Sequence, residues 1–187
     1  MKILVNQTAP DFIAKDINGH NVKLSDFRGQ KIILGFYRNV SCPFCNRRVH
    51  QLMSYNMRLK NAGVQMIFLF ESSNQKIVES SFHKGITPWP IIGNPERDIY
   101  DVYGVGSSMV KMMRTFVSSN ITKALKETKA LNLPADKDAS MTLIPADFFI
   151  DENFKVVKAH YGKHIDDHVP FEDIKAFSGL ESLFDKL

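Results

Sequence analysis

Two near-continuous apolar runs dominate the hydrophobic pattern of the chain, Lys31-Ile32-Ile33-Leu34-Gly35-Phe36-Tyr37-Arg38 and Val64-Gln65-Met66-Ile67-Phe68-Leu69-Phe70. Neither alternates with polar residues, which is the pattern of strands buried on both faces. Between them Val49, Leu52, Met53 and Leu59 recur at helical spacing. Asn39-Val40-Ser41 predicts a short turn out of the first strand. Pro43 suits the first helical position, where its missing N–H costs nothing, and Gly63 suits the stop at the far end. A strand, a helix and a strand in this span predict a β-α-β unit with parallel strands.

Further along, Ser72 or Ser73 can cap a helix that runs through Ile77, Val78 and Phe82. Thr87-Pro88-Trp89-Pro90 breaks the chain, Pro90-Ile91-Ile92 predicts a short strand, and residues 96–103 predict a helix closed by Gly104. Residues 107–138 are mostly helical in pattern. Met109, Met112, Met113, Phe116, Val117, Ile121 and Leu125 are apolar there, and Lys111, Arg114, Lys123, Lys126 and Lys129 make the stretch basic. Core packing is the expected role of this Met-rich stripe, since Met fills gaps readily; a lid, a dimer contact or a membrane-surface helix are the alternatives. Phe148-Phe149-Ile150-Asp151 and Lys155-Val156-Val157-Lys158-Ala159 flank a polar turn and predict a hairpin. Residues 171–187 predict a closing helix. This order predicts an α/β fold: a mixed central sheet with helices on both faces and a helical insertion near 107–138.

At 187 residues, with 44% apolar and 24% charged, the chain has the length and composition of one globular domain spanning 1–187. The formal net charge is +4. The basic residues are dispersed among acids rather than gathered in a stripe, so no nucleic-acid partner is expected. The opening apolar run is too short for a signal peptide, and no segment reaches the ~20 apolar residues of a membrane span. No membrane partner is expected, and the cytoplasm is the expected location.

The chain has two cysteines, Cys42 and Cys45, three positions apart. A disulfide-stapled secreted domain would need more of them at wider spacings. These two lie where a buried strand delivers the chain to a helix N-terminus, whose unpaired N–H groups favour negative charge. A thiolate there has a depressed pKa, and Arg38, Arg47 and Arg48 can add positive charge. Such a thiolate attacks a peroxide oxygen or a disulfide sulfur, and the second cysteine can then close an internal disulfide. The chemical alternative is zinc held by Cys42, Cys45, His160 and His164, in a non-catalytic or redox-sensing module. The two halves of that set are far apart, Pro43 interrupts one and Gly162 the other, so the dithiol is the better reading. No cofactor and no metal are expected. His50, two turns beyond Cys42, is out of reach as its base, and His160, His164 and His168 read as a solvated turn. Trp89 is expected to pack close to the dithiol.

The stretch Phe36-Tyr37-Arg38-Asn39-Val40-Ser41-Cys42-Pro43-Phe44-Cys45-Asn46 resembles the active-site segment of the alkyl hydroperoxide reductase/thiol-specific antioxidant (AhpC/TSA) family of peroxiredoxin-like proteins. Ala9-Pro10-Asp11-Phe12, the segment 22–29, Trp89-Pro90-Ile91-Ile92-Gly93-Asn94-Pro95, Tyr103-Gly104-Val105 and the segment 144–151 are similar to further landmarks of it. The resemblance runs from about residue 7 to 160. It implies a thioredoxin-like fold, a hydroperoxide or disulfide substrate, and a reducing partner that is a thiol protein or a small thiol. A homodimer is left open. The family's usual pattern is Pro-x3-Thr/Ser-x2-Cys, whereas this chain has Arg38-x3-Cys42-x2-Cys45. Cys45 therefore falls on the peroxide-attacking position, Cys42 on the hydroxyl position, and Pro145 near the family's distant arginine. The same sites resemble thioredoxins, in which the first cysteine attacks and a cis-proline faces it. That comparison makes Cys42 the exposed nucleophile, Cys45 the resolving thiol, Ile144–Pro145 the candidate cis bond, and Arg38, Pro43 and Pro145 the residues that stabilise the thiolate or position substrate.

Overall fold

The computed structural model describes residues 1–80, 89–118 and 140–181. Its centre is a five-stranded mixed sheet. The two apolar runs form its middle as β3 (Lys31–Tyr37) and β4 (Val64–Phe70), parallel to each other as the β-α-β pattern predicts. Strand β5 (Ile91–Gly93) extends the sheet in parallel beyond β4. On the other side β6 (Ala146–Ile150) pairs antiparallel with β3, and β7 (Val156–Tyr161) with β6. The order is β5-β4-β3-β6-β7.

Both faces of this sheet are covered, which is why its central strands carry no polar alternation. Along β3, Ile33 and Tyr37 join one buried cluster, while Ile32, Leu34 and Phe36 join the other. The first cluster holds α1 (Pro43–Met53), α2 (Asn56–Asn61), α3 (Asn74–Glu79) and α6 (Phe171–Ser178) against the sheet through Val49, Leu52, Leu59, Ile77 and Ile174. The second holds α4 (Asp98–Val102) through Ile99 and Tyr100, together with a small amino-terminal hairpin. That hairpin, β1 (Ile13–Lys15) with β2 (Asn21–Lys23), is absent from the sequence reading. At three residues a strand it is too short to carry a period-2 pattern.

Gly35 sits in the middle of β3 because the ring of Tyr37 folds over it. A Cβ built there would lie 2.6 Å from Tyr37 Cε2. Tyr37 cannot swing away freely, since it stacks on Phe70 at 5.2 Å and lies against His168 at 5.0 Å. Gly35→Ala is expected to cost about 1–3 kcal/mol, the usual range for overpacking a filled core, read as a lower midpoint in urea.

Several boundaries differ from the sequence reading for identifiable reasons. The helix expected to run from Pro43 to Gly63 breaks after Met53. There the Ser54 hydroxyl donates to the Gln51 carbonyl at 2.6 Å, and Tyr55 leaves helical geometry to pack on Phe171. Ser73 caps α3, its hydroxyl accepting from the Lys76 N–H. The closing helix ends at Ser178, because Gly179 takes a left-handed conformation with φ 75°. Of the insertion near 107–138, Met109–Ser118 is helix α5. Its remainder, 119–138, lies outside the described residues, as do Phe82, Thr87, Pro88 and 182–187. Of the stripe's described side chains, Met109 and Met113 are exposed and Met112 is half-buried, while among the described side chains of α5 Thr115 is the buried one, its hydroxyl accepting from the Ile165 N–H. Among the described residues no helix is long and apolar enough to cross a membrane.

Candidate active site

Cys42 is the N-cap residue of α1 and Pro43 its first helical residue, so the dithiol occupies the strand-to-helix junction that the sequence predicts. Arg38 leaves the end of β3 four residues earlier. Its guanidinium reaches three partners: Nη1 donates to Cys42 Sγ at 3.5 Å, and Nη2 donates to the carbonyls of Ser140 at 3.3 Å and Met141 at 2.8 Å. Both cysteines are free thiols. Cys45 is fully buried, and Trp89 lies in the same cluster.

Cys42 is itself only 4% exposed. This corrects the exposed nucleophile that the thioredoxin comparison implies. Its sulfur lies against Arg38, and that arginine is held to the 140–141 segment, a contact about a hundred residues away in sequence that spacing around Cys42 cannot reveal.

The two thiols are electrostatically unlike. Burial alone would push the Cys42 thiol up. A hydrogen bond from the Cys45 side chain, the Arg38 charge and the backbone N–H groups of Cys45 and Phe44 outweigh it, and lower the pKa from 9.0 to about 6. The same interactions act oppositely on the neighbour. Burial, the hydrogen bond to Cys42 and the Cys42 charge push Cys45 well above its ordinary value. These interactions favour the proton on Cys45 and the charge on Cys42.

A stability consequence has a definite sign. The folded pKa of Cys42 lies below its ordinary 9.0, so ionising it stabilises the fold. That contribution is complete above pH 9 and is lost as pH falls through about 6. The reduced protein is expected to gain thermal stability from pH 6 to 8 through this group. Thermal melts under reductant check it: Cys42→Ser should flatten the rise.

Behind the dithiol lies a buried polar network that the sequence reading does not contain. Asp147, on β6 opposite Gly35, accepts from the Val169 N–H at 2.9 Å and pairs with His168 Nδ1 at 3.0 Å. Arg48 on α1 donates to the Val169 carbonyl at 2.5 Å and stacks over Phe171. Burial would raise Asp147, but the His168 charge and hydrogen bond, Arg48 and the Val169 N–H hold its carboxyl below the usual range. His168 is thus a buried partner, not part of a solvated turn. Its signal was absent because Asp147 lies 21 residues away. Asp147→Ala is expected to cost about 3–5 kcal/mol, as when one partner of a buried pair is removed, and chemical denaturation measures it.

Of the other singled-out residues, Arg47 pairs with Asp166 at 2.8 Å. His50 is exposed. His160 contacts Asp167 at 3.1 Å, and His164 Nδ1 accepts from the Asp166 N–H. Among the described residues no three His, Cys, Asp or Glu side chains gather where they could hold a metal ion. The Ile144–Pro145 peptide is trans, since no cis bond occurs among the described residues. Trans is the intrinsically favoured X–Pro isomer. It leaves Ile144 N donating to the Gly106 carbonyl and the Pro145 carbonyl accepting from Gly162 N. Pro145 lines a cavity of about 280 Å³ with Lys2, Ser107, Lys111 and Tyr161, and neither cysteine is in that lining.

A mixed sheet with β-α-β at its centre and a Cys-x-x-Cys at the start of the first core helix defines a thioredoxin-like oxidoreductase. The AhpC/TSA family model matches residues 5–159, and the chain belongs to that family. Thiol-disulfide oxidoreductase ResA of Geobacillus kaustophilus is 28% identical over 104 residues, covering 56% of this chain and 59% of that one. Peroxiredoxin Bcp of Escherichia coli is 25% identical over 108 residues, 58% of this chain and 69% of that one. The crystal structure of peroxiredoxin 6 of Arenicola marina shares the fold, with a TM-score of 0.68 at 16% identity over 94% of this chain and 72% of that one.

Proposed function

We propose that the protein is a dithiol oxidoreductase in which Cys42 attacks and Cys45 resolves, with partner disulfides as its best-matched substrates. The observation that carries this reading is the opposite displacement of the two thiols, Cys42 towards thiolate beside Arg38 and Cys45 away from it. The resemblance to peroxiredoxins puts the attacking sulfur at Cys45. Both thiols are buried, but Cys45 is pushed above its ordinary value while Cys42, beside Arg38, is lowered, so the asymmetry favours the exchange chemistry of the first cysteine instead.

In the proposed cycle the Cys42 thiolate attacks one sulfur of the substrate disulfide. A mixed disulfide forms and one substrate thiolate leaves. Cys45 then loses its proton and attacks Cys42 Sγ, releasing the second substrate thiolate and leaving a Cys42–Cys45 disulfide. Two electrons pass from the dithiol to the substrate. A thiol protein or small thiol returns them, and the proposed setting is the cytoplasm, where thiols are kept reduced. Arg38 holds the thiolate, and Pro43 starts the helix whose N–H groups face it.

A hydroperoxide is the second substrate class, favoured by membership of the AhpC/TSA family. Its oxygen would accept the same Cys42 attack, an alcohol or water would leave, and Cys45 would condense with the resulting sulfenic acid, releasing water. The test is the rate at which reduced protein loses its thiols to hydrogen peroxide and to a peptide disulfide. The proposal expects fast loss to the disulfide and a peroxide rate close to that of a free thiol. A peroxide rate far above a free thiol's, kept in Cys42→Ser and abolished by Cys45→Ser, would overturn it.

A further inference from the structure

We infer that Glu71 is a positioning residue for the chemistry at Cys42: its buried carboxylate fixes the 140–141 segment, whose carbonyls hold the Arg38 guanidinium against the sulfur. The inference rests on the reading of Cys42 as the attacking thiol and adds a residue to it that neither motif nor family resemblance marks.

Glu71 follows β4 directly, where the end of that strand lies beside the end of β3. Its backbone N–H donates to the Arg38 carbonyl at 3.1 Å, so the two residues start from one point in the sheet. Their side chains then meet the same short segment. Glu71 Oε1 accepts from the Ser140 N–H at 3.1 Å, and the carbonyls of Ser140 and Met141 accept from Arg38 Nη2. The remaining Arg38 amino group, Nη1, is the one on Cys42 Sγ. The next residue serves the same junction, since Ser72 Oγ accepts from the Val40 N–H in the turn leading to Cys42.

A carboxylate only 6% exposed is costly unless it is paired. One charged partner is Arg97, with Nη1 3.6 Å from Oε1. Arg97 has a φ of 59°, a left-handed conformation that residues other than glycine seldom adopt. Such departures gather where surrounding structure over-determines a geometry.

The direct and indirect effects of Glu71 on Cys42 have opposite signs. Its negative charge, taken alone, disfavours a thiolate. By holding the segment that aims Arg38, it favours one. The structure assigns the second effect as dominant, and substitution separates the two. Gln keeps an acceptor for the Ser140 N–H and removes the charge. Ala removes both. Asp keeps the charge but withdraws it by one methylene.

The experiment is the pH profile of iodoacetamide alkylation at Cys42, resolved from Cys45 by mass spectrometry, in the full chain and in Glu71→Gln, Glu71→Asp and Glu71→Ala. Glu71→Gln is expected to keep the wild-type midpoint, while Asp and Ala raise it by about 1 unit, the lower end of what removing a nearby opposite charge does. Glu71→Asp carries the test if Ala does not fold. An unmoved midpoint in Asp and Ala, whatever the loss of melting temperature, overturns the inference. So does a midpoint lowered in both Gln and Ala, which would show the carboxylate acting through its charge. A wild-type Cys42 midpoint near the ordinary 9.0 would instead overturn the reading of Cys42 on which the inference rests.

Discussion

Cys42→Ser is expected to slow reduction of a peptide disulfide at neutral pH by at least about 100-fold, the difference in thiolate fraction between a depressed and a raised thiol. The loss follows from the asymmetry of the pair. With Cys42 near pKa 6, most of that sulfur is ionised at pH 7. Cys45, raised above its ordinary value, is almost entirely protonated. Serine at 42 removes the ionised sulfur, and the thiol that remains is buried without charge. Cys45→Ser behaves differently. It leaves the attacking thiolate in place, so the first step proceeds and the second cannot. One equivalent of substrate is consumed and turnover stops. Rapid-mixing kinetics under single-turnover and multiple-turnover conditions distinguish the two variants: no burst for Cys42→Ser, a burst without steady state for Cys45→Ser.

Arg38→Met carries the second large effect. Among the described residues, the guanidinium is the cationic side chain that lowers Cys42. Methionine keeps much of its length and none of its charge. Loss of an opposite charge at this range raises a pKa by about 1–3 units. Cys42 is therefore expected to move up to about 8, and its thiolate fraction at pH 7 to fall about tenfold. Attack at pH 7 slows by less than that, because a more basic thiolate is also a better nucleophile. The diagnostic is the profile rather than the rate at one pH: activity should rise between pH 7 and 9 in Arg38→Met and be nearly flat there in the wild type. Lysine at 38 keeps charge but loses the fork that spans the sulfur and two carbonyls, and should restore only part of the shift.

What could be read from sequence divides along the range of the interactions. The β-α-β unit was legible because Ile32 to Tyr37 and Met66 to Phe70 are buried on both faces, and burial of that kind leaves a continuous apolar run. The place of Cys42 and Cys45 was legible because Pro43 and Gly63 bracket the helical span that follows. Arg38 was legible as a charge beside Cys42, but what holds it there was not. Its guanidinium is tied to carbonyls over a hundred residues away and Glu71 to a backbone N–H 69 residues away, and the buried Asp147–His168 pair spans a strand and a turn. No local pattern records such contacts, and a lone glutamate after a strand carries no signal of its own. Ser54 shows the same limit on a smaller scale, since one side-chain hydrogen bond to Gln51 ends a helix whose apolar period runs on to Leu59. Pro145 shows it for the resemblance, which implied a cis bond that the chain around it does not adopt.

The central claim is that Cys42 attacks and Cys45 resolves. The most direct measurement is to mix each single Cys→Ser variant with a peptide disulfide, quench in acid and locate the peptide by mass spectrometry. The account predicts a stable mixed disulfide on Cys42 in the Cys45→Ser protein and almost none in Cys42→Ser. A peptide held by Cys45 in Cys42→Ser, with Cys45→Ser left unlabelled, would contradict it.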